Sequence, residues 1–99
     1  MPTYIMLMKY TEDGIKKIGE APQRTENLNK MIEAAKGKVI GHYGTMGEYD
    51  RVSIVEFPND DVAAAILLRA GRGGSVRTTT LKAWPMADFL KIIQGLPPA

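Results

Sequence analysis

The side chains best suited to chemistry lie within and just before the stretch GTMGEYDRVS, residues 44–53. His42 is the single histidine of the chain, and a tight hairpin turn within this stretch would pair it with Ser53 and place Arg51 diagonal to it. An imidazole exchanges protons near neutral pH, and a guanidinium group binds anions. We therefore predict His42 as the acid–base residue of a site and Arg51 as its anion anchor.

Other roles for His42 also fit the sequence. It could be a hydrogen-bonded histidine at a subunit interface, or an axial ligand of haem iron or another metal. A site built from several histidines of one subunit is excluded, because the chain has one histidine and no cysteine. A hydrolytic triad fits poorly, because no carboxylate shares the predicted face of His42 and Ser53. We predict no metal and no cofactor.

Tyr49 and Asp50 are neighbours in a predicted strand, so their side chains point to opposite faces and cannot act together on one substrate atom without a bulge. Asp50 is predicted to accept backbone N–H bonds that rigidify the hairpin, and a general base with a raised pKa is the weaker alternative. Tyr49 is predicted to donate a hydrogen bond to a ligand, or to lie as an amphipathic aromatic residue at the rim of an interface.

The remaining candidates for ligand binding are aromatic. Tyr4, Trp84 and, as the weakest of the three, Tyr43 could line an apolar pocket in which Arg51 anchors an anionic group. Aromatic residues in such positions are also typical of a plain hydrophobic core. Both interpretations of these residues are retained.

The glycine-rich stretch AGRGGSVR, residues 70–77, has a composition similar to that of a phosphate loop. It follows a predicted helix and precedes a predicted strand. A phosphate loop has the reverse order, because it joins a strand to the helix N-terminus that binds the anion. We therefore predict a helix end and a flexible turn here.

The composition excludes several classes of protein. The 99 residues are 44% hydrophobic and 24% charged, which is typical of a single folded domain, residues 1–99, and not of a disordered chain. A net charge of +2 with dispersed Lys and Arg does not indicate nucleic-acid binding. The apolar run at the N-terminus is too short to span a membrane. We expect a cytoplasmic protein without disulfides and without membrane association.

The periodicity of the apolar residues predicts the element order β-α-β-β-α-β followed by a terminal helix. Strands are predicted at residues 3–10, 38–46, 49–57 and 76–84, and helices at residues 12–18, 22–36, 60–70 and 86–94. This order predicts a ferredoxin-like α+β fold with the first and third strands at the centre of a four-stranded antiparallel sheet. Thr11 and Asn59 are the predicted N-caps, and Gly37 is a predicted left-handed C-cap.

The predicted register divides the side chains between the two faces of the sheet. Helices are expected to cover the face that carries Val39, Gly41, Tyr43, Val52 and Ile54. The opposite face then exposes a larger apolar set, namely Tyr4, Met6, Met8, Ile40, His42, Val55 and Phe57. A soluble monomer rarely exposes so much apolar surface. We therefore predict a homodimer in which two sheets pack face to face as an α+β barrel, with a small-molecule pocket between them and further assembly as open alternatives.

Three segments resemble the GYD family, which is named for a Gly-x-Tyr-Asp signature: MPTYIMLMKYTEDGIKKI, GHYGTMGEYDRVSIVEFPND and VRTTTLKAW. The signature residues are Gly47, Tyr49 and Asp50, and the similarity extends over nearly the whole chain. The resemblance implies a dimeric, ferredoxin-like α+β barrel, and it implies no particular reaction. The chain departs from the family pattern at His42 and Arg51, so the resemblance does not imply a role for either residue.

Three functions fit these residues. The first is an enzyme without a cofactor, in which the barrel carries out proton transfer or oxidation on a small metabolite through His42 and Arg51. The second is a non-catalytic module that binds or senses a ligand. The third is a structural or partner-binding oligomer with a filled barrel. We keep all three as hypotheses, so whether the protein is an enzyme stays open at this point.

Overall fold

The computed structural model describes residues 1–99 and contains four strands and four α-helices. The strands are β1 (Thr3–Tyr10), β2 (Lys38–Gly44), β3 (Arg51–Glu56) and β4 (Val76–Ala83). The helices are α1 (Glu12–Lys16), α2 (Ala21–Ala34), α3 (Asp60–Arg72) and α4 (Met86–Gln94), and a 3₁₀ turn, Ile18–Glu20, joins α1 to α2.

All four strands form one antiparallel sheet in the order β2-β3-β1-β4. β1 and β3 occupy the centre, so the predicted ferredoxin-like arrangement is confirmed. β1 pairs with β4 along its full length, from Thr3 opposite Ala83 to Tyr10 opposite Val76. The N-terminal strand therefore joins the two halves of the fold.

Side-chain caps fix where two of the helices begin. Thr11 accepts a hydrogen bond from the backbone N–H of Gly14 (3.0 Å) at the start of α1. Asn59 accepts one from the backbone N–H of Val62 (2.9 Å) at the start of α3. The first turn of α3 also carries two aspartates, whose carboxylates are stabilised by the positive end of the helix dipole. Both predicted N-caps are confirmed.

The end of α2 differs from the prediction. The residue with left-handed backbone is Lys36, with a φ of 61°, and not Gly37. A glycine is needed at position 37 for another reason, because a Cβ there would lie 2.8 Å from the carbonyl oxygen of Glu56 and 2.9 Å from the ring of Phe57. The predicted left-handed glycine is therefore wrong, and the glycine instead allows the chain to pass close to β3.

The β2–β3 hairpin keeps the predicted register near its turn. His42 pairs with Ser53 and Gly44 with Arg51, as predicted. The two strands end earlier than predicted, and a loop of residues 45–50 replaces the expected two-residue turn. This longer loop leaves the pairing unchanged because it adds the same number of residues on each side of the turn.

A bulge changes the register at the far end of the same hairpin. The pairing shifts between Val39 and Gly41, so Val39 lies opposite Val55. The predicted register placed these two valines on opposite faces of the sheet. In the structure Val39 packs against the core that contains Val55, so the uninterrupted register is wrong here.

Helices α2 and α3 cover the face of the sheet that periodicity predicts to be open, so the predicted assignment of the two faces is wrong. Nine buried apolar residues form the core: Tyr4, Met6, Met8, Leu28, Ile32, Val55, Phe57, Ala63 and Ile66. The sheet residues among them are those expected at a dimer interface. The error arises because both alternating sets of side chains in β1 are apolar, so their period does not identify the helix side.

The other face of the sheet, called the open face below, is covered by none of the helices. It carries six apolar side chains that are half-buried or exposed: Ile5, Leu7, Tyr43, Val52, Ile54 and Leu81. The expectation that one apolar face lacks a cover is therefore retained, but the residues of that face are different from those predicted.

Helix α4 extends away from the rest of the molecule. None of its residues is buried, and it packs closely against no other element. The radius of gyration is 15.3 Å, against about 13 Å for a compact domain of about 100 residues. Its apolar side chains are between 40% and 66% exposed, namely Met86, Phe89, Leu90, Ile92 and Ile93. Neither α4 nor any other helix has the length and hydropathy needed to cross a membrane.

Replacing Gly37 by alanine is expected to lower the free energy of unfolding by about 1–3 kcal/mol, because the added methyl group overlaps Glu56, Ile32 and Phe57. Urea unfolding followed by circular dichroism measures this. Gly19→Ala is the matched control, since no atom lies within 4 Å of its Cβ position, and it should unfold no earlier than the wild type. Equal stability of the two variants would contradict the close approach at Gly37.

Candidate functional site

His42 lies on the helix-covered face, and both of its ring nitrogens are hydrogen-bonded. Nδ1 is 2.7 Å from Oγ of Ser53, its cross-strand partner, and Nε2 is 2.7 Å from Oδ1 of Asn29 on α2. Because an amide oxygen only accepts, Nε2 carries the proton and Nδ1 accepts from the serine hydroxyl. The predicted proximity of His42 to Ser53 is confirmed, whereas its predicted position facing a partner sheet is wrong.

These contacts favour the neutral form of His42. Burial lowers the pKa of His42 below its ordinary value of 6.5, and the positive charge of Arg51 lowers it further. A protonated ring would donate from Nδ1 to Ser53, which is fully buried and would lose the acceptor of its hydroxyl proton. The acid–base role of His42 stays a prediction, and it requires one of these hydrogen bonds to break.

Arg51 lies on the same face and points to α2, so its predicted position facing a partner sheet is also wrong. Nη1 donates a hydrogen bond to the hydroxyl of Thr25 (2.7 Å). Nη2 is buried and has no hydrogen-bond partner, and burial lowers the pKa of Arg51 from its ordinary value. An unpaired buried donor costs free energy. Anion binding by Arg51 stays a prediction, and Nη2 is the atom with capacity for it.

Tyr4 is a core residue that ties α3 to the sheet. Its ring packs against Phe57 with 5.6 Å between ring centroids, and its hydroxyl donates to the carboxylate of Asp60, which also binds Lys82 (3.0 Å). Burial, followed by the bond to Asp60, raises the pKa of Tyr4 to about 12. The hydrogen bonds from Tyr4 and then Lys82 lower the pKa of Asp60. The ligand-binding role of Tyr4 stays a prediction.

Asp50 holds the hairpin loop against β1. Its carboxylate accepts a hydrogen bond from the backbone N–H of Tyr10 (2.9 Å), and its own N–H donates to the carbonyl oxygen of Met8 (2.9 Å). The predicted structural role of Asp50 is therefore confirmed, and its role as a general base stays a prediction. Tyr49 lies in the same loop, with the ammonium of Lys9 5.3 Å from its ring centroid, which is within the range of a cation–π contact.

Tyr43 and Trp84 lie on the outside of the molecule, at 57% and 48% exposure. Tyr43 belongs to the open face, although the predicted register places it under the helices. Trp84 contacts Phe89 of α4, with 6.1 Å between ring centroids. The predicted site residues are only partly brought together: His42, Tyr43 and Arg51 line a small open pocket of about 220 Å³, whereas Tyr4, Tyr49 and Trp84 lie elsewhere.

A cleft of about 340 Å³ lies between α2 and α3 above the sheet. Arg51 lines it together with two arginines of the helices, Arg24 and Arg69. Sequence reasoning missed Arg24 as a candidate. A signal for it exists, because Arg24, Leu28 and Met31 follow the spacing i, i+4, i+7 and so lie on one side of α2.

The side chains offer no evident donor set for a metal ion. No group of three or more His, Cys, Asp or Glu residues is placed to hold one. Both nitrogens of His42 are engaged within the chain, so an axial bond to haem iron would require one of them to be released.

The stability of the protein is expected to depend on the titration of His42. Its folded-state pKa is lowered, so the unfolded chain binds the proton more readily. The stabilisation is complete above the unfolded pKa of about 6.5 and is lost as the pH falls through the folded pKa. We expect urea unfolding to show a larger loss of stability between about pH 8 and about pH 5 for the wild type than for His42→Gln.

The glutamine variant is the matched control, because it keeps a hydrogen-bonding side chain and the carboxylates of the wild type but cannot titrate in this range. The same pH dependence in both proteins would contradict a neutral, half-buried histidine.

Comparison with known proteins agrees with this fold. The GYD domain matches residues 4–93. A Thermus thermophilus protein named glutamine synthetase and cystathionine beta-lyase binding protein is 36% identical over 91 residues, which cover 91% of this chain and 96% of that protein. The crystal structure of the Mycobacterium tuberculosis leucine response regulatory protein LrpA is similar with a TM-score of 0.55 at 15% identity, over 85% of this chain and 51% of that chain. This last likeness shows the fold alone. The family match over most of the chain, together with the 36% identical relative, shows that the protein belongs to the GYD domain family.

Proposed function

We propose that this GYD-domain protein is a non-catalytic binding protein, which pairs with a second copy through its open face and binds an enzyme as its partner. The uncovered apolar surface of the open face and α4 carries the proposal. A binding role is also supported by the positions of the residues predicted for catalysis. Both ring nitrogens of His42 are hydrogen-bonded within the chain. Tyr43 is the one aromatic candidate that shares a small pocket with it, while Tyr4, Tyr49 and Trp84 lie outside that pocket.

A second copy of the chain fits the open face. The centre of the face is largely apolar, while its ends are charged, with Glu56 beside Lys38 at one end and Lys9 and Arg77 at the other. A twofold axis in the plane of the interface and across the strands places Glu56 of one sheet near the basic end of its partner. The apolar centre therefore favours two copies packed face to face as an α+β barrel, with Glu56 of each copy near Lys9 and Arg77 of the other.

Helix α4 supports the same assembly. Met86, Phe89, Leu90 and Ile93 follow the spacing i, i+3, i+4, i+7 and form one apolar stripe. A nine-residue helix with an apolar stripe is marginal in water unless another surface covers it. Within the chain, the stripe is contacted by Trp84 at Phe89 and otherwise stays largely exposed. The partner subunit supplies a cover for it, and α4 thereby extends the interface beyond the two sheets.

An enzyme as the further partner is supported by the relative from Thermus thermophilus, whose name describes a protein that binds two enzymes. The identity of 36% extends over nearly all of both chains, so the relative has no additional domain to carry that binding. By analogy, we take glutamine synthetase and cystathionine beta-lyase as the first candidates. A dimer presents two equal docking surfaces, which increases its avidity for a partner with repeated sites.

The wild type is expected to behave as a dimer or larger assembly at micromolar concentration in multi-angle light scattering. Leu81→Lys places a charge on the exposed edge of the open face and should weaken the dimer about 30-fold or more, because a twofold interface contains the change twice. Leu68→Lys on α3 is the matched control, since Leu68 is 74% exposed and lies away from the open face. A monomeric wild type, or equal assembly of the two variants, would contradict the proposed interface.

Binding of the enzyme partner is tested with purified glutamine synthetase and cystathionine beta-lyase of the same organism, immobilised one at a time for interferometry. We expect saturable binding of the wild type to at least one of them. Leu81→Lys should dissociate faster, because a monomer loses the avidity of two linked surfaces. Failure of both enzymes to bind would reject the proposed partner while leaving the dimer result intact.

A further inference from the structure

The cleft between α2 and α3 has the form of a small ligand site. Its volume of about 340 Å³ is near the lower end of the range for small-molecule pockets, roughly 300–1,000 Å³. It opens on the helix side of the sheet, so the proposed dimer, which uses the opposite face, leaves it accessible. Each subunit therefore carries its own copy of the cleft.

The charge of the cleft is positive. Three arginines line it, and Glu20 is the single carboxylate among its lining residues. Glu20 lies 3.5 Å from Arg24, whose guanidinium also donates to the backbone carbonyl of Lys17 (2.6 Å). Arg24 is therefore held by contacts with the turn before α2. The positive charge that no carboxylate compensates belongs to Arg51 and Arg69.

Arg51 and Arg69 differ in burial and in position, and this difference favours the binding of an anion. Arg51 lies at the sheet, where its Nη1 is held by Thr25 and its buried Nη2 has no hydrogen-bond partner. Arg69 lies near the end of α3, is exposed, and forms no hydrogen bond or ion pair through its side chain. An inner donor fixed by packing and an outer mobile cation together attract a negative group and hold it.

Much of the remaining wall is apolar, although Asn27 and Ser75 also line the cleft. Met8 from β1, Leu28 and Met31 from α2, and Val76 from β4 line it. A fully hydrated inorganic ion gains nothing from such walls, whereas the apolar body of an organic molecule is stabilised by burial against them. The flexible thioethers of the two methionines can adapt to bodies of different shape.

We propose that this cleft binds a small organic carboxylate with an apolar body, whose carboxylate accepts hydrogen bonds from Arg51 and is attracted by Arg69. The unpaired Nη2 of Arg51 is then satisfied by the ligand, and the apolar body lies against Met8, Leu28 and Met31. This site is distinct from a pocket between two sheets, because it lies on the helix side within one subunit.

The test is a titration of ¹⁵N-labelled full-length protein followed by NMR, with isocaproate as the probe. Isocaproamide is the uncharged match with the same apolar body, and inorganic phosphate is an anion without one. Isocaproate is expected to produce saturable shifts in the amides of Leu28, Gly73 and Val76, which line the cleft. Neither control should saturate in the same concentration range.

Arg69→Gln is the decisive variant, because an exposed helix residue can be changed without loss of the fold. It should weaken isocaproate binding about tenfold, which corresponds to the loss of one charge-assisted contact. Arg72→Gln, three residues further along α3 and outside the cleft, should bind as the wild type does. The dimer variant Leu81→Lys should also bind normally, which separates this site from the proposed assembly.

Several outcomes would overturn the proposal. Equal binding of isocaproamide would remove the role of the charge, and equal binding of phosphate would remove the role of the apolar walls. Absence of saturable shifts with isocaproate would reject the site itself, as would equal effects of Arg69→Gln and Arg72→Gln.

Discussion

The central strands of the four-stranded sheet are apolar on both sides, and the helices of this chain cover only one of these sides. β1 illustrates this arrangement, because Met6 and Met8 lie beneath α2 and α3, while Ile5 and Leu7 face the other way. The helices cannot be shared between the faces, since α2 and α3 both follow right-handed crossovers onto the same side. The uncovered face is therefore a consequence of the topology, and the proposed dimer would bury it.

Much of the fold could be predicted because its signals are local. The N-caps Thr11 and Asn59 and the strand order each depend on short stretches of sequence, and each is confirmed. The choice of face is not a local property. β1 is apolar at both alternating sets of positions, and a bulge at Val39 changes the parity of β2 midway. Packing against α2 and α3 decides which set of side chains faces the helices. The periodicity of a single strand contains no information about that packing.

The candidate site shows the same division between local and distant information. The hairpin register places His42 beside Ser53 and Arg51 nearby, and Asp50 binds the backbone as predicted. The partners that decide what these side chains do come from elsewhere in the chain, namely Asn29 and Thr25 on α2. The predicted register placed His42 and Arg51 against a partner sheet, because the sequence alone does not show that α2 supplies hydrogen-bond partners for them. Buried polar side chains next to a helix are as well satisfied as those at an interface.

The alternation of β3 separates the two proposed binding surfaces within a single strand. Val52 and Ile54 point to the open face, whereas Arg51, Ser53 and Val55 point to the helices. A substitution at one set changes the surface available to a partner subunit, and a substitution at the other changes the cleft and its charge. Successive side chains of a strand point in opposite directions. Substitutions that alter assembly and substitutions that alter ligand binding can therefore occur independently, although both surfaces share the backbone of β3. A rigid central strand would also transmit a displacement from one side to the other, so the independence holds for side-chain contacts and ends where the strand itself moves.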